Sequence, residues 1–83
     1  VMYTVYGKKG CPFCEKAVRL LENTQESYSY IDIDKLPEAR EYIRSIGAKT
    51  VPQVFDDDDN RIGGYEELYV HIHTASDFST DLF

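Results

Sequence analysis

The sequence predicts an α/β fold: a four-stranded mixed sheet covered by three helices, in the order β-α-β-α-β-β-α. Three observations carry this. Short runs rich in β-branched and aromatic residues alternate with segments whose apolar residues recur at helical spacing. The first strand, helix and strand follow one another as a crossover unit does, which implies a parallel pair. An acidic tetrad, Asp56 to Asp59, separates the last two strand-like runs by a turn too short for anything but an antiparallel hairpin.

The elements follow in order. Met2 to Tyr6 reads as the first strand, and Gly7 to Gly10 as a loop. Pro12 takes the first helical position, where its missing N–H costs little. The helix it opens runs to about Thr24, with Cys14, Ala17, Val18 and Leu21 on its apolar stripe. Tyr28 to Ile33 reads as the second strand. Leu36, Ala39, Ile43 and Ile46 form the next helical stripe, which Gly47 stops. Gln53-Val54-Phe55 and Arg61-Ile62 are the two short strands of the hairpin. Gly63-Gly64 leads into a last helix with Tyr65, Leu68, Tyr69 and Ile72 on one face.

Eighty-three residues without repeats or linkers are read as one domain spanning residues 1–83, whose core is modest: a chain this short buries roughly 60% of its unfolded surface. Seven Tyr and four Phe argue against disorder. No apolar run reaches the roughly 18 residues that cross a bilayer, and the N-terminus lacks the pattern of a secretory signal. The expectation is a soluble, cytoplasmic monomer. A net charge of −6 counts against nucleic-acid and anionic-membrane binding, both of which need basic surface. Against that background, Lys8, Lys9, Lys16 and Arg19 form a local basic patch around the only two cysteines, Cys11 and Cys14.

That pair is the chemical feature of the chain. Cys14 shares the core-facing stripe, whereas Cys11 precedes Pro12 at the helix N-terminus, where free N–H groups and the positive dipole end favour an anion. The thiolate is the nucleophile in disulfide chemistry, so Cys11 is expected to attack and Cys14 to resolve. A structural zinc site needs four ligands. The remaining candidates, His71 and His73, are two positions apart on a helix and face different ways, so no metal is expected. A static disulfide does not suit a reducing compartment. The acidic tetrad lacks the Gly and the bidentate Glu of a calcium loop and reads as a solvated turn. His71, His73 and the tyrosines Tyr3, Tyr6, Tyr28, Tyr30, Tyr42 and Tyr69 read as surface and half-buried packing groups, respectively. A Cys-x-x-Cys that follows a strand and opens a helix in a β-α-β start is a strong sign of thiol–disulfide exchange.

Three motifs, in order and spacing, make the chain resemble the small dithiol glutaredoxins of the thioredoxin-fold superfamily. They are Lys8-x-x-Cys11-Pro12-Phe13-Cys14, Thr50-Val51-Pro52 and Gly63-Gly64-Tyr65-Glu66-Glu67. The resemblance runs from Met2 to Ile72, and Thr74 to Phe83 has only a loose counterpart. It implies a thioredoxin-like fold, a cis peptide before Pro52, and glutathione as reductant. It also implies disulfide-containing or glutathionylated proteins as substrates. Lys8 is then expected to meet the glycine carboxylate of glutathione, and Val51 to pair with its cysteine residue through the backbone. Gly63-Gly64 allows close approach, the free N–H groups of the last helix hold the γ-glutamyl carboxylate, and Glu66 meets the ammonium. Taken singly, these residues also read as an edge-strand proline, a plain turn and a favourable acidic first helical turn. Two residues depart from the family pattern. Phe13 stands where Tyr is frequent, which keeps the aromatic wall without the hydroxyl. Tyr65 stands where Cys is frequent, and it either narrows the pocket or stacks on a substrate.

Two other readings have sequence support. One is a glutaredoxin-like redoxin reduced by thioredoxin reductase and serving ribonucleotide reductase, against which Lys8 and Gly63-Gly64 speak. The other is a dimer holding a [2Fe–2S] cluster with two glutathiones. Pro12 and the second cysteine speak against it, since cluster-carrying relatives usually have Gly and a single thiol.

Overall fold

The computed structural model describes residues 2–77, with side chains as far as His73. The elements are β1 (Met2–Gly7), α1 (Pro12–Asn23), β2 (Ser27–Asp32), α2 (Pro37–Ser45), β3 (Gln53–Phe55), β4 (Arg61–Gly63) and α3 (Tyr65–Asp77). The predicted order holds throughout, and the architecture is thioredoxin-like. The sheet runs β2-β1-β3-β4. β1 pairs parallel with β2, from Met2 opposite Ser27 to Gly7 opposite Asp32, and antiparallel with β3. β3 and β4 form the antiparallel hairpin, with an irregularity between Val54 and Phe55.

Side chains alternate across a strand, and β1 shows how this builds two cores. Tyr3 and Val5 point to one face and join Ala17 and Leu21 of α1, Val54 of β3, and Leu68 and Ile72 of α3. Tyr6 points to the other face, against the cluster of Ile33, Ala39, Ile43 and Ala48 that α2 and its flanks supply. The sheet is therefore a middle layer between α1 with α3 and α2. Among the described residues no helix is long and apolar enough to cross a membrane.

Several expectations shift. β2 spans Ser27–Asp32, one residue earlier at each end than expected, and Ile33, just beyond it, still donates its N–H to the Gly7 carbonyl of β1 at 2.9 Å. α2 is shorter than its stripe. Pro37 opens it and Gly47 follows it at φ +88, a left-handed turn that glycine accepts without strain. Leu36 and Ile46 are consequently exposed flanks, and only Ala39 and Ile43 are buried by the helix. On α3, Leu68 and Ile72 are buried but Tyr69 is exposed, with its ring 4.1 Å from that of His73. Tyr30 and Tyr42 are likewise exposed and not half-buried, while Tyr3 is fully packed. Of the tail from Thr74 to Phe83, residues 78–83 lie outside the described residues.

The acidic tetrad is a turn, as its composition suggests. The Asp56 carboxylate accepts from the backbone N–H groups of Asn60 and Asp58, each at 2.9 Å, and from the Asn60 side chain at 3.3 Å. Asp59 takes the left-handed conformation at φ 62. Those bonds, the Asn60 N–H first, hold the Asp56 carboxyl below the ordinary carboxylate range. A depressed folded-state pKa stabilises the fold above the unfolded-state pKa and ceases to do so as pH falls through the folded one. Asp56→Ala is therefore expected to lower the melting temperature at pH 7. Its deficit against the parent should shrink below about pH 4, which melting curves across pH 2–7 measure. A deficit constant over that range would assign the loss to the uncharged part of the turn.

Candidate functional site

The site forms where β1 ends. Gly7 closes the strand against Cys14: a Cβ there would lie 3.0 Å from the Cys14 sulfur and 2.9 Å from the Tyr30 ring. Lys8 to Gly10 turn the chain, Gly10 at φ +76, and Cys11 follows in extended conformation as the N-cap of α1. Its carbonyl accepts the first helical bond from Glu15 at 3.1 Å, and its sulfur accepts the Cys14 N–H, also at 3.1 Å. An N–H aimed at that sulfur, at the positive end of a 12-residue helix, favours negative charge on it. The two cysteines form a disulfide, with Cα atoms 5.2 Å apart. Cys14 is wholly buried and Cys11 is 8% exposed, so a partner reaches the pair through Cys11.

Thr50, Val51 and Pro52 meet this pair from 40 residues away. The Val51 carbonyl oxygen lies 3.9 Å from the Cys11 sulfur, and the Val51–Pro52 peptide is cis. A residue that sequence reasoning missed holds this loop. Gln53, only 3% exposed, donates from its side chain to the Thr50 carbonyl at 3.0 Å and accepts from Arg61 Nε at 3.0 Å. Buried amides need such partners. The signal was present in the sequence as a lone amide among the apolar residues of a short strand.

Two cavities flank Val51. One, of about 650 Å³, reaches from Cys11 past Lys8, Lys49, Arg40 and Arg44. Arg40 pairs with Asp34, and Arg44 with Glu41 at 3.6 Å. Among the described residues no carboxylate lies in ion-pair range of Lys8 or Lys49. The other, of about 320 Å³, is bounded by Phe13, Thr50, Pro52, Gly64, Tyr65 and the two glutamates Glu66 and Glu67. Its aromatic wall is Phe13 against Tyr65, ring centres 6.2 Å apart, with the Lys16 ammonium 5.0 Å above Phe13. The structure thus brings together Lys8, Cys11, Phe13, Thr50, Val51, Pro52, Gly64, Tyr65 and Glu66, with Cys14 behind them.

One expectation needs correction. The start of α3 is not wholly free, because the Gly64 N–H donates to the Glu67 carboxylate at 2.8 Å. Glu three residues after the N-cap is the reciprocal half of a capping box, and that spacing was legible in Gly64-x-x-Glu67. The cations Arg40, Arg44 and Lys49 were also missed. They are distant from the cysteines in sequence, and the tertiary fold brings Arg40 and Arg44 of α2 and Lys49 of the loop after it to the cavity that Cys11 lines.

The model of the glutaredoxin family matches residues 3–60, more than half of the chain. The chain belongs to the glutaredoxin family. Among curated glutaredoxins it is 38% identical over 66 residues to glutaredoxin 3 of Escherichia coli, with 78% of each chain covered. It is also 29% identical over 72 residues to the glutaredoxin-like protein NrdH of that organism, covering 87% of this chain and 89% of the relative. The solved NrdH-redoxin of Escherichia coli, described as having a thioredoxin-like activity profile, superposes with a TM-score of 0.76 at 26% identity over 87% of this chain and 93% of that one. As a glutaredoxin, this protein is a thiol–disulfide oxidoreductase, with Cys11 and Cys14 as its redox-active pair.

Proposed function

We propose that this glutaredoxin, a single domain over residues 1–83, uses glutathione to reduce protein disulfides and glutathionylated cysteines. The observation that carries the reading is the course of the groove. It passes the Cys11 sulfur beside the Val51 carbonyl, with Lys8 and Lys49 at one end and a helix start at the other. Glutathione has a thiol between a glycine carboxylate and a γ-glutamyl head bearing a carboxylate and an ammonium. In this reading Lys8 takes the glycine carboxylate and the Val51 backbone pairs with the cysteine residue. Thr50 and Pro52 shape the floor, Phe13 and Tyr65 form the wall, and the Gly64 turn with Glu66 receives the γ-glutamyl head.

The chemistry follows from the sulfur positions. Cys11 thiolate attacks one sulfur of a substrate disulfide. The substrate S–S bond breaks, and the leaving thiolate takes a proton. Cys14 then attacks the Cys11 sulfur, loses its own proton and expels the second substrate thiol, leaving Cys11–Cys14 oxidised. One glutathione thiolate reopens that bond at Cys11. A second attacks the resulting mixed disulfide and leaves as glutathione disulfide, so two electrons pass per cycle. Potentials of roughly −200 to −230 mV suit glutaredoxins to exchange with the glutathione pool. A glutathionylated substrate needs Cys11 alone.

The second reading, an NrdH-type redoxin reduced by thioredoxin reductase and donating to ribonucleotide reductase, gains support from the longer coverage of that relative. The same protein, a cytoplasmic monomer in either reading, decides between them. The oxidised form is mixed with glutathione, or with NADPH and thioredoxin reductase, and Cys11–Cys14 reduction is timed. Faster reduction by glutathione is expected. Reduction by the reductase alone would replace the glutathione reading with the second one.

A further inference from the structure

Gly7 is a glycine for reasons of space. It is not among the glycines with positive φ, yet a Cβ there would run into the Tyr30 hydroxyl and lie 3.0 Å from the Cys14 sulfur. The hydroxyl and the sulfur therefore border one point, and no side chain at residue 7 stands between them. In the disulfide form the hydroxyl donates to the Lys8 carbonyl at 3.3 Å. Burial first, then the carboxylates of Asp32 and Glu15, push this phenol up, so it keeps its proton at neutral pH and acts as a donor. A cavity of about 460 Å³ between α1 and β2 opens on the same place, with Cys14, Glu15 and Arg19 on the helix side and Tyr28 and Tyr30 on the strand side.

Thiol–disulfide exchange puts a charge at this place. When a thiolate bonds to the Cys11 sulfur, the Cys11–Cys14 bond breaks and Cys14 leaves with the electron pair. A proton from solvent then neutralises it. Cys14 is wholly buried, and a buried charge without a hydrogen bond is costly. The Cys11 sulfur has a donor, the Cys14 N–H at 3.1 Å, whereas among the described residues no donor is bonded to the Cys14 sulfur in the disulfide. We propose that the Tyr30 hydroxyl is the missing donor: it turns from the Lys8 carbonyl to the Cys14 sulfur as the disulfide opens, and it holds the leaving thiolate until a proton reaches it through the cavity between α1 and β2. In the opposite direction the same bond steadies the Cys14 thiolate that attacks a mixed disulfide at Cys11. Tyr30 is 41% exposed and faces that cavity, so its ring has room to make the turn. It thereby touches a reacting atom and is a catalytic residue.

Tyr30→Phe tests this, since it keeps the ring and removes only the hydroxyl. Two reductions by dithiothreitol are timed with and without the substitution. One opens Cys11–Cys14, and Cys14 is the leaving group. The other is run in a Cys14→Ser background and opens the mixed disulfide of Cys11 with mercaptoethanol, so Cys14 takes no part. Tyr30→Phe is expected to lower the first rate about threefold relative to the second, the effect of one hydrogen bond to a charged sulfur that is half-formed in the transition state. An unchanged or raised ratio would overturn the proposal. Two unaltered rates would mean that the hydroxyl never reaches the sulfur, and two rates slowed alike would mean that it only holds the loop at Lys8. Dithiothreitol carries no carboxylate, so neither result depends on the glutathione reading.

Discussion

Cys11→Ser loses thiol–disulfide exchange with every substrate, by roughly 10³-fold or more, while Cys14→Ser loses only the reduction of protein disulfides. The difference follows from burial and hydrogen bonding. Cys11 is the accessible sulfur, receives the Cys14 N–H at 3.1 Å and lies beside Val51. A serine hydroxyl stays protonated at neutral pH and makes no mixed disulfide. Cys14 is wholly buried and reaches an incoming substrate only after Cys11 has bonded to it. In the glutathione reading, removal of a glutathionyl group needs one protein thiol, so Cys14→Ser is expected to keep it. Parallel assays with a glutathionylated peptide and a protein disulfide measure the split. Sustained turnover of the protein disulfide by Cys14→Ser would show that glutathione alone resolves the intermediate and that Cys14 has another role.

Leu68→Ala is expected to destabilise the fold by about 2–5 kcal/mol. Leu68 is fully buried, on the face of α3 that packs with Ala17, Leu21 and Val54 in the larger core cluster. The substitution removes transfer free energy and leaves a cavity between helix and sheet. Domains have only about 5–15 kcal/mol in total, and one this small is at the lower end. With about 4–8 °C lost per kcal/mol in a domain of this size, the melting temperature should fall by roughly 10 °C or more. Circular dichroism melting reads this directly. A fall of only a few degrees would mean that α3 moves inward to fill the space, in which case Tyr65 moves with it and the Phe13–Tyr65 wall should change in fluorescence. Rates per folded molecule are expected to persist, since Leu68 lines neither of the cavities beside Val51.

Most of the fold was legible because its signals are local. Gln53-Val54-Phe55 was placed to the residue, and Gly47 ended α2 where glycine alone accepts the turn without strain. Errors arose at edges. The stripe of α2 was overextended to Leu36 and Ile46 because periodicity continues past a helix end when flanking loops are apolar. Tyr69 was read as half-buried on the face of Leu68 and Ile72, because an aromatic at stripe spacing looks the same whether it meets the core or stacks on an exposed neighbour such as His73. In the site, the cysteines and the three motifs were readable. Gln53 and Gly7 were not singled out, although each has a sequence mark: an amide in an apolar strand and a glycine closing a strand; Glu67 was read as part of an acidic first helical turn and not as the cap that its spacing from Gly64 allows.

By itself the sequence determined the order of the elements, the placing of one thiol at a helix N-terminus and of the other on its buried stripe, and so the thiol–disulfide chemistry. These depend on spacings of at most a helical turn or a strand, within which backbone geometry alone fixes where side chains point. The tertiary structure decided what surrounds the sulfur. Val51 lies 40 residues from Cys11 in the chain and 3.9 Å from it in space. Arg40 and Arg44 of α2 line the same cavity as Cys11, roughly 30 residues away in the chain. At the helix start that looked free for a ligand, the Gly64 N–H is taken by Glu67. Such contacts come from packing between distant segments and from side chains choosing among competing partners, and a pattern read along the chain carries neither.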